Sequence, residues 1–343
     1  MTSFNDIKHL FPVIIGDGKD YREALETSLD EYCSILSNKR EENSIIEFCK
    51  AMNKQILTIV DNIRIGAHSR AFTQLGNILK GTDDSKRKYG IEISDLIQEK
   101  EGFYYRMRKI EDRRIDNPLE MFHIPFDRRS MVSTERYSFP GLPCLYLGVS
   151  SYICWEEMGR PNFSQVMISA FKTNRKLKLL DLRAPVHRRW EQTNLKVIPL
   201  LLSCQVTSAN RDAKYKSEYI IPQLMMEYII TNHNNIDGIM YSSVFKDKHF
   251  DYPVDKFYNI ALPAIQGNKN ERYSNKLKEM FLITTPTCEE YERLNRHIGI
   301  DDLTETISKT SVPQNRNYEI SIFNEIERCL KDENLFPLQE IIE

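Results

Sequence analysis

The sequence predicts an α+β protein, an N-terminal helical bundle followed by a mixed-sheet domain. Three observations predict it. Residues 1 to about 100 carry three amphipathic stripes at helical spacing. Short apolar or alternating runs of strand length then recur from Phe103 to Pro263, separated by turn residues and one apolar helix. A hydrophobic content of 41% is ample for a packed core and too high for a disordered chain of 343 residues.

The first stripe is Leu25, Leu29, Tyr32, Cys33 and Leu36. The second is Ile45, Cys49, Met52, Ile56, Val60 and Ile63, and the third is Ala71, Leu75, Ile78 and Leu79, with Gly81 placed as a C-terminal helix stop. Thr82 to Tyr89 reads as a polar loop. No credible catalytic group falls in this part. Gly16-Asp-Gly18 lacks the wider glycine pattern of a phosphate loop, and Arg64 and His68 stand too close for the Arg-x5-His pattern of helical ribonucleases.

Phe103 to Lys109 alternates as a strand, with Tyr105 and Met107 on one face and Arg106 and Arg108 on the other. The arginine-rich section Arg113 to Arg136 suits either a solvated surface or a pyrophosphate pocket gripped by guanidinium forks. Leu142 to Val149 is a second strand. Ser150 and Ser151 supply the hydroxyl of a helix N-cap, and the helix ends in Glu156-Glu157. Its first turn favours an anionic ligand, because N–H groups point outward there. Gln165 to Phe171 and Leu177 to Leu182 read as strands forming a hairpin across Asn174-Arg175. Val197 to Val206 is apolar enough for either a buried helix or a strand. Ser217 to Ile230 is a helix with Pro222 in its first turn, ending near Asn234-Asn235. Strands follow at Ile236 to Val244 and Tyr258 to Pro263. The resulting division is 1–100 helical, 101–270 a mixed-sheet domain and 271–343 a charged, helix-prone appendage.

Net charge is −2, which gives no general pull toward nucleic acid or membrane. No apolar run approaches the ~20 residues that span a bilayer. Seven scattered cysteines without Cys-x-x-Cys spacing read as reduced thiols of a cytoplasmic protein, and no signal peptide is visible. The dispersed histidines offer no ligand pair, so no metal site is expected.

Several motifs occur together and in order. They are the aromatic-arginine pair Tyr105-Arg106, Arg136 before the Pro140-Gly141 turn, Leu145-Tyr146-Leu147, the serine-started helix ending in glutamate, and Asp237-Gly-Ile-Met-Tyr-Ser-Ser243. The set resembles the core of the RES domain family, over roughly residues 103 to 265, about half of the chain. One departure is Arg136-Tyr-Ser, where the family usually has Arg-Phe-Asn, so Ser138 stands for the family asparagine.

The resemblance implies an ADP-ribosyltransferase-like fold and breakdown of NAD⁺ at the nicotinamide–ribose bond by a toxin-like enzyme. NAD⁺ would be a consumed substrate rather than a cofactor, with inorganic phosphate, water or a macromolecule as acceptor. Glu157, counted from Tyr146, would be the catalytic carboxylate, with Glu156 taking over if the register shifts by one. Arg106 and Arg136 would hold the pyrophosphate, with Arg108 able to share the role of Arg106. Tyr146 would orient nicotinamide or ribose, and Ser243 would bond the ribose or an incoming phosphate. Such proteins often pair with a small helix-turn-helix antitoxin. A non-catalytic module that kept the fold, and an RNA-acting protein, are the competing classes.

Overall fold

The structure is a computed structural model that describes residues 1–16, 20–80, 91–110, 115–185, 195–208, 213–233, 235–244, 257–288, 318–319 and 321–341. The polar loop Thr82–Tyr89, the Gly81 stop, Asp17-Gly18, Arg113, Arg114 and Asn234 lie outside the described residues. Helices are α1 (Phe4–Ile7), α2 (Tyr21–Asn38), α3 (Asn43–Arg64), α4 (His68–Leu79), α5 (Ser151–Glu157), α6 (Ile198–Cys204), α7 (Ile220–Asn232), α8 (Asn275–Met280) and α9 (Ile322–Asp332). Strands are β1 (Ile97–Lys100), β2 (Phe103–Lys109), β3 (Cys144–Gly148), β4 (Val166–Thr173), β5 (Leu177–Asp181), β6 (Gly238–Ser242), β7 (Tyr258–Pro263), β8 (Phe281–Thr284) and β9 (Leu335–Pro337). The class is mixed α+β.

The chain divides into two compact units. The first comprises Met1–Gln98, Ser133–Pro140 and Lys178–Val244, the second Glu99–Val132, Gly141–Leu177 and Phe245–Glu343. This cut differs from the three-part division read from the sequence. The N-terminal helices share a unit with residues 178–244, and the C-terminal helix shares one with the central strands.

In the first unit, the buried stripes of α2, α3 and α4 pack against α6 and α7. Ile198 to Cys204, ambiguous in sequence, is helical and wholly buried. The Tyr32 hydroxyl donates to the Leu195 carbonyl at 2.8 Å, and Val13 bridges Val206 in parallel. Removing residues 1–100 would therefore uncover α6 and α7. β5 pairs in parallel with β6, from Leu179↔Gly238 to Asp181↔Met240. A parallel pair needs a long crossover, which α6 and α7 supply.

In the second unit the strand order is β7-β3-β2-β4-β8-β9, antiparallel throughout. β4 has β2 on one edge and β8 on the other, so the hairpin expected across Asn174-Arg175 does not form. One interruption matters. β2 pairs with β4 over seven rows but with β3 only at Tyr105↔Gly148. Beyond that row, Arg106 to Lys109 and Leu147 to Cys144 make no ladder with each other.

α5 and α9 cover this sheet. Tyr152, Trp155, Phe163, Phe323, Ile326 and Leu330 form one buried cluster with Tyr105, Met107 and Ile168. α9 is thus part of the core, where the sequence suggested an appendage. α5 meets β3 so closely that a Cβ on Gly148 would sit 2.4 Å from Ile153 Cγ2 and 2.7 Å from Cys154 Sγ, which requires glycine.

His123, almost fully buried in this unit, is held in one tautomer. Its Nδ1–H donates to the Ile124 carbonyl at 2.8 Å, and Nε2 accepts from the Ser274 N–H at 2.9 Å. Burial holds its pKa down at about 4. The unfolded chain, with an ordinary histidine near 6.5, binds the extra proton first as pH falls. Stability from this group is complete above about pH 6.5 and is lost between there and about pH 4, by about 3 kcal/mol in all. Urea melts from pH 7.5 to 4.5 should show a steeper loss for the natural protein than for His123→Gln. Parallel pH profiles would refute the assignment.

Candidate functional site

α5 is fixed at both ends by its own sequence. The Ser150 hydroxyl accepts from the Ile153 N–H at 3.2 Å, the expected N-cap. At the C-terminus Gly159 adopts φ +79° and Arg160 φ +58°, and the Arg160 N–H returns to the Trp155 carbonyl at 3.0 Å. A left-handed arginine costs about 1 kcal/mol or more. Its side chain turns back onto Glu156, where Nε lies 3.1 Å from both carboxylate oxygens and Nη2 3.0 Å from Oε1. The Tyr152 hydroxyl donates to the same carboxylate. Glu156 is buried and committed to closing the helix.

Glu157 is half-buried, and its Oε1 accepts from Asn259 Nδ2 at 2.8 Å. Asn259 sits on β7 opposite Gly148 of β3. Asn259 was not among the residues singled out in the sequence, because no local pattern marks a residue 102 positions away as a partner. An amide at that place orients the carboxylate without neutralising it.

The N-terminus of α5 does not offer the free anion site expected of it. Glu327 of α9 occupies it, accepting from the Ser151 N–H at 2.8 Å and the Ser151 hydroxyl at 3.2 Å. The Tyr318 hydroxyl donates to the same Oε1 at 2.5 Å. The carboxylate that suits the helix dipole is the chain's own.

Arg106 and Arg108 stand on β2 where it leaves β3. Arg106 Nη1 donates to the Phe122 carbonyl at 2.9 Å, and Arg108 Nη1 to the Glu120 carbonyl, so both brace the 3-10 turn Pro118–Met121. Arg106 is half-buried and Arg108 exposed. Burial, then the like charge of Arg108, lowers the Arg106 pKa to about 9, which leaves it charged at neutral pH. Tyr146 on β3 acts on Arg106 in the opposite sense. The Cys154 thiol is pushed up to about 12 by burial, and both Glu157 and Arg106 act on it with opposite signs. Glu157, Arg106, Arg108 and Tyr146 therefore belong to one electrostatic neighbourhood within the second unit.

Arg136 and Ser243 lie in the first unit. Arg136 is buried, with Nη2 donating to the Val206 carbonyl at 2.9 Å and Nη1 to the Cys204 carbonyl at 3.4 Å. Its guanidinium also lies 4.8 Å from the Tyr219 ring centroid. Ser243 is buried directly after β6, and Ser242 accepts from the Ala184 N–H at 2.9 Å. Ser138, in the place of the family asparagine, is buried, and its carbonyl accepts from Gln223. Arg136→Ala should lower stability by about 3 kcal/mol, the cost of orphaning two buried carbonyls and an aromatic face. An unchanged melting temperature would show that these contacts are dispensable.

Among the described residues, no group of three or more His, Cys, Asp or Glu could hold a metal ion, and no helix is long and apolar enough to cross a membrane. Comparison with known proteins gives one informative likeness. Over 206 residues the chain is 32% identical to a protein of Bacillus subtilis (strain 168) described as "Putative toxin YopC", covering 54% of this chain and 46% of that protein. The chain thus spans about half the length of that relative. No family model matches the chain. No solved structure matches it either. What the comparison shows is a chain similar, over about half its length, to a protein described as a toxin.

Proposed function

We propose that the chain is a toxin-like enzyme that consumes NAD⁺ by breaking the bond between nicotinamide and ribose. The observation that carries this reading is the separation of roles between adjacent glutamates. Glu156 is spent on Arg160 and Tyr152, while Glu157 is half-exposed, held by the neutral Asn259 and close enough to Arg106 for both to act on Cys154. Nicotinamide leaves as a neutral molecule, so the demand on the protein is an oriented anion beside the developing oxocarbenium ion. Glu157 meets that demand. Arg106, with Arg108 beside it, supplies fixed positive charge for the pyrophosphate, and the half-buried Tyr146 on β3 supplies an aromatic ring for the nicotinamide or ribose.

Arg136 and Ser243 enter this reading through the RES resemblance alone, with the pyrophosphate and ribose roles it implies. A small helix-turn-helix antitoxin is the partner it implies. The similarity to a protein described as a toxin supports the biological class.

Purified protein incubated with NAD⁺ should release nicotinamide, read by chromatography. The second product names the acceptor, since ADP-ribose marks water and its phosphate ester marks phosphate. An ADP-ribosylated macromolecule would mark transfer. If no nicotinamide appears with any acceptor, the protein is a binding module and the enzyme reading fails.

A further inference from the structure

The second unit holds a cavity of about 290 Å³ that the reading above does not use, apart from Arg108 on its wall. Its lining includes Arg108 of β2, Arg128 of the 3-10 turn Phe126–Met131, and Arg272 from the segment before α8. Three chain segments thus bring one guanidinium each to one wall. Glu120 is the only carboxylate in the lining, and Asp127 stands 3.5 Å from Arg272 Nε. His123 adds no charge, because its Nε2 is already an acceptor for the Ser274 N–H.

The arginines differ in how they are spent. Arg129, next to Arg128, is tied to the Gly141 carbonyl and to Gln266. Arg128 is exposed, and its guanidinium has no ion-pair or hydrogen-bond partner among the described residues. The Arg272 Nε–H is buried and makes no hydrogen bond. The Arg128 guanidinium is solvated and the buried Arg272 Nε–H faces Asp127 at 3.5 Å without a hydrogen bond, so both can turn to the oxygens of an anionic ligand.

We infer that this cavity binds the phosphate group of a small phosphate monoester. Three guanidiniums against Glu120 and Asp127 leave the wall positive by one charge, which favours an anion, and a phosphomonoester carries about −1.5 to −2 at neutral pH and offers three acceptor oxygens. Guanidiniums take such oxygens in forked pairs. Tyr273 and Met131 give the lining an apolar side for the organic part, and the volume limits that part to about the size of a pentose. The inference stands apart from NAD⁺ cleavage.

Calorimetric titration of the full chain with ribose 5-phosphate, inorganic phosphate and ribose tests it. Ribose 5-phosphate should bind, ribose should not, and Arg128→Gln should weaken binding about tenfold or more, the size of one charge-assisted hydrogen bond. Met131→Glu, at an exposed position, should weaken it in the same direction by repulsion. Inorganic phosphate binding as tightly as the ester would identify the free ion as the ligand of the same site. Glu157→Gln should bind ribose 5-phosphate like the natural protein, whatever happens to NAD⁺ cleavage. No binding of either phosphate, equal binding of ribose, or natural affinity in both Arg128→Gln and Met131→Glu would overturn the inference. Loss of phosphate binding in Glu157→Gln would overturn it too, by placing the ion in the other neighbourhood.

Discussion

Glu157→Gln should lower nicotinamide release by roughly 10²–10³-fold while leaving the melting temperature almost unchanged, the scale of losing one preorganised electrostatic group. The amide keeps the shape of the side chain and can still face Asn259. What it loses is the negative charge that would stabilise positive charge growing on ribose. Glu156→Gln should do the reverse. Its carboxylate is buried against Arg160 and Tyr152, and the ion pair holds Arg160 at φ +58°. Arg160 is about one-third exposed, so the loss is moderated by solvent, at about 2 kcal/mol, with turnover per folded molecule preserved. Nicotinamide release and thermal melts on both variants separate the two outcomes. If Glu156→Gln is folded but inert and Glu157→Gln is active, the roles are exchanged.

Much of this neighbourhood was legible in the sequence, and the remainder was not, for definable reasons. The stripe Leu25-Leu29-Tyr32-Leu36, the strand Phe103–Lys109 and the serine cap of α5 are local patterns, and each is found where its period or hydroxyl placed it. Local pattern does not specify partners. Val166–Thr173 and Leu177–Asp181 both read as strands, yet alternation cannot say that one pairs with β2 and β8 and the other runs parallel to β6. The same limit hid Asn259 behind Glu157 and Glu327 behind Ser151, contacts spanning 102 and 176 residues. It also made a helix N-terminus look vacant. Adjacent glutamates that are indistinguishable in sequence become distinct only when a left-handed arginine folds back on one of them.

The largest stability effect is expected at Glu327. It is fully buried, and Glu327→Ala removes the acceptor of the Ser151 N–H and the Tyr318 hydroxyl together, leaving the Ser151 hydroxyl to the Phe323 carbonyl alone. Unsatisfied buried donors and the space left behind should cost about 3–5 kcal/mol. Glu327→Gln, which retains one acceptor oxygen, should cost less, about 1–2 kcal/mol, because a charge-assisted bond becomes an ordinary one. Denaturant melts of the two variants check the ordering. Equal losses would mean that a neutral acceptor contributes nothing and that the negative charge carries the whole effect, whereas an unchanged Glu327→Gln would mean that the charge adds nothing.

The same contact sets a schedule for the nascent chain. Ser151 and Glu327 are separated by 176 residues, which at about 5–20 residues per second are translated over about 9–35 s. Throughout that interval the Ser151 N–H of α5 lacks the Glu327 carboxylate, and Tyr152, Trp155 and Phe163 lack the aromatic face of Phe323. Strands β2 and β3, which carry Arg106 and Gly148, are complete long before the helix that locks them. A nascent chain of this protein therefore presents an uncovered apolar surface to chaperones or proteases until α9 arrives.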